Sequence, residues 1–137
     1  MINHPPTRTR ACRPQRPSRS VMPRNDVLLG DAVTRLKELP DASVDTVITS
    51  PPYFLLRNYQ AKGQLGAEAT VAGYVDAIVA VCDQLARVLK PTGSMWLNLG
   101  DSYSRRDRFG APAKAMVLAP ERVLLALADR GWILRNK

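Results

Sequence analysis

Four consecutive residues, Ser50-Pro51-Pro52-Tyr53, carry groups that could bind a planar amino group. The two prolines fix φ at consecutive positions and remove two backbone N–H donors, so hydrogen-bond acceptors predominate. Ser50 offers a hydroxyl oxygen, Pro51 a carbonyl oxygen and Tyr53 an aromatic ring. The preceding run, residues 44–49, alternates β-branched residues as a strand does. The sequence therefore predicts a binding corner where a strand ends.

The chemistry that suits this corner is attack by the exocyclic amine of cytosine or adenine. That amine is a poor nucleophile because its lone pair is delocalised into the ring. Hydrogen bonds from its hydrogens to the Ser50 hydroxyl and the Pro51 carbonyl would make the lone pair available to an electrophilic methyl held in line. Tyr53 would stack on the base, which must be flipped out of a duplex, and stacking contributes about 1–3 kcal/mol. The alternative is a plain turn with a packed tyrosine.

Hydrophobic periodicity predicts the elements that must position this corner. Apolar residues recur every three or four positions in each predicted helix, and short apolar runs bounded by turn residues mark the strands. The predicted strands are residues 26–30, 44–49, 94–99 and 132–135, and the predicted helices are residues 31–39, 70–89 and 120–131. Asp31 is the expected N-cap of the first helix.

The alternation of strands and helices predicts an α/β fold with a mainly parallel sheet and helices on both faces. In such folds, ligands bind at the carboxyl ends of the strands. Three polar junctions are expected there, and they are Gly30-Asp31, the corner at residues 50–53, and the loop at residues 100–103.

The chain resembles the β-group DNA amino-methyltransferases, which methylate cytosine N4 or adenine N6 with S-adenosylmethionine. The resemblance covers residues 26–136 and implies a Rossmann-like class I methyltransferase sheet and double-stranded DNA as substrate. The motifs that carry it are Gly30-Asp31-Ala32, Leu39-Pro40-Asp41-Ala42-Ser43-Val44-Asp45, Thr49-Ser50-Pro51-Pro52-Tyr53, Gly63-Gln64-Leu65-Gly66, Leu89-Lys90-Pro91-Thr92-Gly93 and Trp96-Leu97-Asn98-Leu99-Gly100-Asp101-Ser102-Tyr103.

This resemblance implies a role for several residues. The Gly30-Asp31 junction would bind the adenine of S-adenosylmethionine, with Asp31 accepting from its amino group or serving only as a helix cap. Ser50 and Pro51 would bind the target amine, with Pro52 completing the corner and Tyr53 stacking on the base. A serine in the first position is commoner in the cytosine-N4 members, so cytosine is favoured.

Charged residues in the flanking loops are weaker candidates for substrate binding. Asp101 would lie near the base pocket, although a loop cap explains it equally well. Arg57, Arg105 and Arg106 lie where phosphate contacts would fall, and solvated loop charges are the alternative reading.

The glycine-rich turn that completes the cofactor site of this family is absent from the sequence. The resemblance therefore implies an amino-terminal portion of a methyltransferase, truncated or completed by a second chain that carries the glycine-rich half. The sheet would then have a gap and unpaired edges, and we expect the 137-residue chain to bind S-adenosylmethionine weakly or not at all. Two alternatives are a nucleic-acid-binding remnant without catalysis and a related transferase acting on RNA or on a protein glutamine amide.

The charge distribution separates a basic tail, residues 1–25, from residues 26–137, which the resemblance assigns to a methyltransferase catalytic domain. The net charge is +8, and residues 1–24 contain six arginines and no acid. This proline- and arginine-rich tail is predicted to be disordered, serving either as an arm that binds phosphates or as a dispensable leader. Two cysteines and one histidine predict neither a disulfide framework nor a metal site. No signal peptide or membrane span is visible, so a cytoplasmic location is expected.

Overall fold

The computed structural model describes residues 25–105 and 111–137. The predicted tail and Arg106 lie outside these ranges, apart from Asn25. The described elements are α1 (Ala32–Leu36), β1 (Val44–Thr49), α2 (Val71–Val88), β2 (Leu89–Leu97) and α3 (Ala119–Asp129). The fold is therefore of the α/β class, as the sequence predicts.

The strands β1 and β2 lie parallel and adjacent, and α2 makes the crossover between them. Parallel pairing needs such a crossover because both strands must run in the same direction. The register is regular where Ile48 pairs with Trp96, and it shifts between Val44 and Thr46. Strand β2 begins at Leu89, earlier than predicted, and residues 90–93 lie within it at the level of this irregularity. The parallel core of the predicted fold is confirmed.

The core lies between this small sheet and the helices. Buried side chains of α2, among them Tyr74 and Ile78, pack with Val123 of α3. Helices α1 and α3 both contact α2. The opposite face of the sheet carries Ile48 and Trp96, which are 81% and 66% exposed. The predicted packing of helices on both faces is therefore not found in residues 25–105 and 111–137.

Two predicted strands are also not formed in the structure. Residues 26–30 have no strand partner, and Val27 and Leu29 are 82% and 85% exposed. Residues 132–135 are likewise irregular, with Ile133 exposed. An isolated strand is unstable because its N–H and C=O groups gain hydrogen bonds only from a neighbouring strand. These segments have the apolar pattern of strands but no described neighbour with which to pair.

Helix α1 is shorter than predicted and is held in place by Arg87 of α2. Its N-cap is Asp31, as predicted, and it ends at Leu36 rather than at Leu39. The Arg87 guanidinium donates to the carbonyls of Leu36 at 2.6 Å and Leu39 at 3.0 Å, and it also pairs with Asp41. The Leu36 carbonyl also accepts from the Leu39 N–H at 3.1 Å, so Arg87 adds hydrogen bonds at and just after the end of α1 and fixes this segment against α2.

Among the described helices, none is long and apolar enough to cross a membrane. The same residues contain no group of three histidine, cysteine or acidic side chains arranged to hold a metal ion.

Candidate active site

The corner at residues 50–53 lies at the carboxyl end of β1, beside the carboxyl end of β2. The Asn98 backbone N–H donates to the Thr49 carbonyl at 2.9 Å and extends the sheet pairing by one residue. The Asn98 side-chain Nδ2 donates to the Tyr53 hydroxyl at 3.2 Å and lies 3.5 Å from Ser50 Oγ. Ser50 Oγ and the Tyr53 hydroxyl are 3.4 Å apart. The structure thus brings Ser50, Tyr53 and Asn98 together in one polar group.

The polar side chains of this group lie on the exposed face of the sheet. Successive residues of a strand point to opposite faces, so Ser50 follows Ile48 on the same face. Ser50 and Asn98 are both exposed. Hydroxyl and amide groups are therefore available at the end of an open sheet face, where a ligand can reach them.

Residues of the core contact the corner and fix its backbone. The Tyr74 hydroxyl donates to the Pro52 carbonyl at 3.1 Å. The ring of Phe54 is buried and packs against the ring of Tyr74, with centroids 5.5 Å apart. The Leu55 N–H donates to the Gly66 carbonyl at 2.7 Å. Side-chain packing and hydrogen bonds therefore fix the chain on both sides of Tyr53.

Two glycines make close approach to the corner possible. A Cβ on Gly100 would lie 2.6 Å from Tyr53 Cε2, so the tyrosine ring packs directly on the Gly100 backbone. A Cβ on Gly66 would lie 2.7 Å from the Tyr53 carbonyl oxygen, and Gly66 has φ of +87°. Only glycine fits both the space and, at Gly66, the backbone conformation.

The residues implied to bind the cofactor lie at the start of α1, on a different element from the corner. Asp31 Oδ1 accepts from the Thr34 N–H at 2.9 Å and from its hydroxyl at 3.0 Å. These hydrogen bonds from Thr34 lower the pKa of the Asp31 carboxyl group, so it is ionised at neutral pH. Gly30 has φ of +138° and approaches the Arg35 side chain. Asp31 therefore acts as a helix cap, and the cap occupies Oδ1 alone.

Asp101 serves as a cap for α3. Its two carboxylate oxygens accept from the backbone N–H groups of Leu118 at 2.8 Å and Ala119 at 3.0 Å. Leu118 precedes the helix in a left-handed conformation, with φ of 57°, and supplies no side-chain cap. Asp101 thus fills the capping role from 17 residues earlier in the chain. This is the capping interpretation of Asp101 that the sequence left open.

Neither of the two described arginine candidates, Arg57 and Arg105, has a side-chain hydrogen bond or ion pair with the corner. Arg57 is exposed in the loop that follows it, and its carbonyl accepts from Gln64 Nε2 at 3.0 Å. Arg105 is also exposed. Arg106 lies outside the described residues. The structure therefore adds no contact that would assign Arg57 or Arg105 to substrate binding.

Sequence reasoning missed four residues that contact the corner, namely Gly66, Tyr74, Asn98 and Gly100. Tyr74 lies on the apolar stripe of α2, where core packing explains it fully, and only its hydroxyl hints at another role. Gly66, Asn98 and Gly100 fall within quoted motifs but lie 13 or more positions from Tyr53. A link over that distance depends on the tertiary fold and leaves no local pattern.

A family-model comparison identifies the family of this chain, and the fold and the corner described above are consistent with it. The DNA methylase family model N6_N4_Mtase matches residues 44–137, more than half of the chain. The chain therefore belongs to this family of DNA methylases, and the resemblance to amino-methyltransferases is confirmed. Gly30 and Asp31 precede the matched region.

Several type II methyltransferases are similar to this chain. It is 44% identical to M.SfiI of Streptomyces fimbriatus over 79% of this chain and 28% of that protein. It is 36% identical to M.XycI of Xanthomonas campestris pv. cyanopsidis over 88% of this chain and 47% of that protein. The chain thus spans between about a quarter and a half of the length of these relatives.

Among solved structures, the fold is similar to that of the PvuII DNA methyltransferase (cytosine-N4-specific). The TM-score is 0.53 at 27% identity, and the match covers 74% of this chain and 32% of that protein. The likeness therefore extends over most of this chain but only a third of the larger enzyme.

Proposed function

We propose that this chain binds the target base in a DNA methyltransferase that moves a methyl group from S-adenosylmethionine to an exocyclic amine. The observation that carries the proposal is the corner itself. Ser50 Oγ is exposed at the end of β1, and Tyr53 is held beside it by Asn98. A flipped base stacked on Tyr53 would direct its amine toward the Ser50 hydroxyl and the Pro51 carbonyl.

The corner would act through hydrogen bonding and position. When bound, S-adenosylmethionine supplies an electrophilic methyl group on a sulfonium. Ser50 and Pro51 accept hydrogen bonds from the amine, and these bonds favour the nitrogen geometry in which the lone pair can form the new N–C bond. Methyl transfer would form the N–C bond as the donor's C–S bond breaks, and the nitrogen would then lose a proton. Ser50 is exposed, so this proton can pass to water.

Cytosine N4 is the favoured target, ahead of adenine N6. The serine at the first position of the corner supports this choice, as does the similarity to a methyltransferase described as cytosine-N4-specific. Asp31 remains the candidate acceptor for the cofactor adenine, because Oδ1 carries both of its hydrogen bonds and Oδ2 is available. Double-stranded DNA is the proposed substrate, in the cytoplasm, and a second chain with the glycine-rich half is the proposed partner.

In the enzyme completed by the glycine-rich half, methyl transfer to DNA should depend on Ser50 and Tyr53 in different ways. We expect Ser50→Ala to lower kcat at least about 10-fold, because the amine loses an acceptor. Tyr53→Ala should mainly weaken binding of the flipped base, by roughly 1–3 kcal/mol. Transfer of a labelled methyl group measures the first effect, and fluorescence of 2-aminopurine at the target position measures the second.

The matched control for this experiment is Ser94→Ala. Ser94 lies on the same sheet face as Ser50, and its hydroxyl lies 3.4 Å from that of Thr46, four residues before Ser50 along the chain. We expect this variant to retain the activity of the unaltered protein. Unchanged turnover in both Ser50→Ala and Tyr53→Ala would remove the corner from the mechanism.

Nucleic-acid binding without catalysis is the second candidate function. The net charge of +8 and the arginines of residues 1–24 favour it, because clustered positive charge binds phosphates without regard to sequence. Such a protein would bind DNA with a steep dependence on salt concentration and would not bind S-adenosylmethionine. Calorimetry with the cofactor on the protein together with the partner that carries the glycine-rich half separates the two functions, because only the methyltransferase should then bind it. DNA binding measured across salt concentrations shows the salt dependence directly.

A further inference from the structure

Tyr74 lies in the core, where an apolar side chain would pack equally well without a hydroxyl group. Tyr74 lies in the first turn of α2 and is 1% exposed. Its ring packs on Phe54 in the main core cluster. A hydroxyl group buried there would be costly without a hydrogen-bond partner, and the Pro52 carbonyl is that partner at 3.1 Å. The buried hydroxyl therefore connects the helical core to the corner.

The corner has two consecutive carbonyls that could face a ligand, those of Pro51 and Pro52. Tyr74 occupies the Pro52 carbonyl. In residues 25–105 and 111–137, the Pro51 carbonyl accepts no hydrogen bond. The structure thus leaves one of these two carbonyls open and engages the other.

We propose that Tyr74 is a positioning residue for the target amine. Its hydroxyl binds the Pro52 carbonyl and fixes the peptide that joins Pro52 to Tyr53. The Pro51 carbonyl and the Ser50 hydroxyl are then presented together to the amine. This inference rests on the proposed function, because it assigns Tyr74 to the same corner.

A second contact fixes the chain on the other side of Tyr53. The Leu55 N–H donates to the Gly66 carbonyl at 2.7 Å. The Gly66 N–H in turn donates to the Glu68 carboxylate at 2.9 Å. With Tyr74 bound at Pro52 and Gly66 bound at Leu55, the peptide planes on both sides of Tyr53 have little freedom.

The Tyr74 hydroxyl also remains a donor over the whole working pH range. Burial, with a smaller contribution from the Glu68 carboxylate, raises its pKa to about 12. The two neighbouring groups that could accept or donate a proton, Glu68 and Tyr53, therefore face a neutral phenol at neutral pH.

The first test measures hydrogen exchange of single backbone amides in the full chain. Tyr74→Phe retains the ring packing on Phe54 and removes the hydroxyl. We expect the Leu55 amide to exchange roughly 3- to 10-fold faster in this variant, the effect of losing one hydrogen bond. The Asn98 amide, which pairs with the Thr49 carbonyl in the sheet, should be unchanged. Tyr59→Phe is the control, because Tyr59 is exposed and lies outside the corner.

The second test measures methyl transfer to DNA. For Tyr74→Phe we expect kcat to fall on the order of 10-fold while the KM for DNA is unchanged, because misplaced acceptors act on the reacting amine and not on DNA binding. Tyr59→Phe should leave both constants unchanged. A merely structural role for Tyr74 would speed exchange throughout the sheet, at Asn98 as well as at Leu55.

The results of the two tests decide whether Tyr74 positions the corner. An unchanged Leu55 amide in Tyr74→Phe overturns the proposal, and so does full kcat in that variant where the unaltered protein methylates DNA. If the unaltered protein, assayed together with the partner chain that carries the glycine-rich half, transfers no methyl group to DNA, the proposed function fails. The amide exchange then still shows whether Tyr74 orders the corner.

Discussion

Ser50 and Tyr53 lie close enough for their hydroxyls to contact one ligand. Two prolines fix the backbone between them, and the two hydroxyls lie 3.4 Å apart. Asn98, from the neighbouring strand, donates to the Tyr53 hydroxyl. Ser50, Pro52 and Tyr53 are thus each contacted by a group that is distant in sequence, namely Asn98 or Tyr74. The local motif supplies the chemistry, and its geometry depends on those distant groups.

At the residue scale, Gly100→Ala should displace the Tyr53 ring. The new Cβ would lie 2.6 Å from Tyr53 Cε2, well inside van der Waals contact, so the ring must move. We expect DNA methylation to fall several-fold, because the displaced ring no longer positions the base. The melting temperature should change little, because Gly100 lies in a loop outside the helices and strands.

Gly73→Ala is the matched control for this substitution. Gly73 lies within α2, and a Cβ there would meet only ordinary contacts, the nearest at 3.4 Å. This variant should be more stable by about 0.5–1 kcal/mol, since alanine favours helix, and should methylate normally. Equal activity of the Gly100→Ala variant and the unaltered protein would show that Tyr53 does not need its observed position.

The elements that carry the corner depend on contacts made between helices and loops. Strand β1, helix α2 and strand β2 form a parallel crossover that places Ser50 and Asn98 side by side. Helix α3 packs on α2, and its amino terminus is capped by Asp101 from the loop after β2. Asp101 thus connects that loop to α3.

At the element scale, Asp101→Ala should destabilise the protein by about 1–2 kcal/mol. The variant leaves the N–H groups of Leu118 and Ala119 without their acceptor and no longer supports the left-handed Leu118. Urea denaturation measures the loss.

Asp129→Ala is the control, because Asp129 is exposed at the opposite end of α3. A negative charge there opposes the helix dipole, so its removal should be neutral or slightly stabilising. Equal denaturation midpoints for Asp101→Ala and Asp129→Ala would contradict the capping role.

In the part of the chain that the structure describes, α2 packs against one face of a two-stranded sheet, and α1 and α3 pack on α2. Tyr74 and Cys82 of α2 lie within this single core. The opposite face exposes Ile48 and Trp96 over residues 25–105 and 111–137. Stability therefore depends heavily on α2, and the buried titratable groups of that helix should couple stability to pH.

Stability should fall as the pH rises from about 9 to 11, in part because of Cys82. Burial raises the pKa of this thiol from 9.0 to about 11, so between these values the unfolded chain has lost a proton that the folded protein retains. The stabilisation is complete below pH 9 and is lost through pH 11, and it amounts to about 1–3 kcal/mol. Urea denaturation at a series of pH values measures it.

Cys82→Ala isolates the contribution of the thiol. The variant should be less stable at neutral pH, because it leaves a small cavity, but its free energy of unfolding should fall less steeply between pH 9 and 11. Tyr74 contributes a similar decline at higher pH, up to about 12. Identical slopes in the variant and the unaltered protein would show that Cys82 does not titrate in this range.

The sequence by itself determined the corner, the family and the elements β1, α2, β2 and α3. Proline pairs, β-branched alternation and helical periodicity are local patterns, and local patterns specify local structure. The N-cap role of Asp31 was equally readable, because a cap and its helix are adjacent in the chain.

Only the tertiary structure decided which residues support the corner and which segments become strands. Tyr74 reaches Pro52 across 22 residues and Asn98 reaches Tyr53 across 45, and no local pattern records such contacts. Residues 26–30 and 132–135 have the composition of strands, yet the structure does not form them as strands. A strand is stabilised by hydrogen bonds to a neighbouring strand, so its formation depends on a partner that its own sequence does not contain.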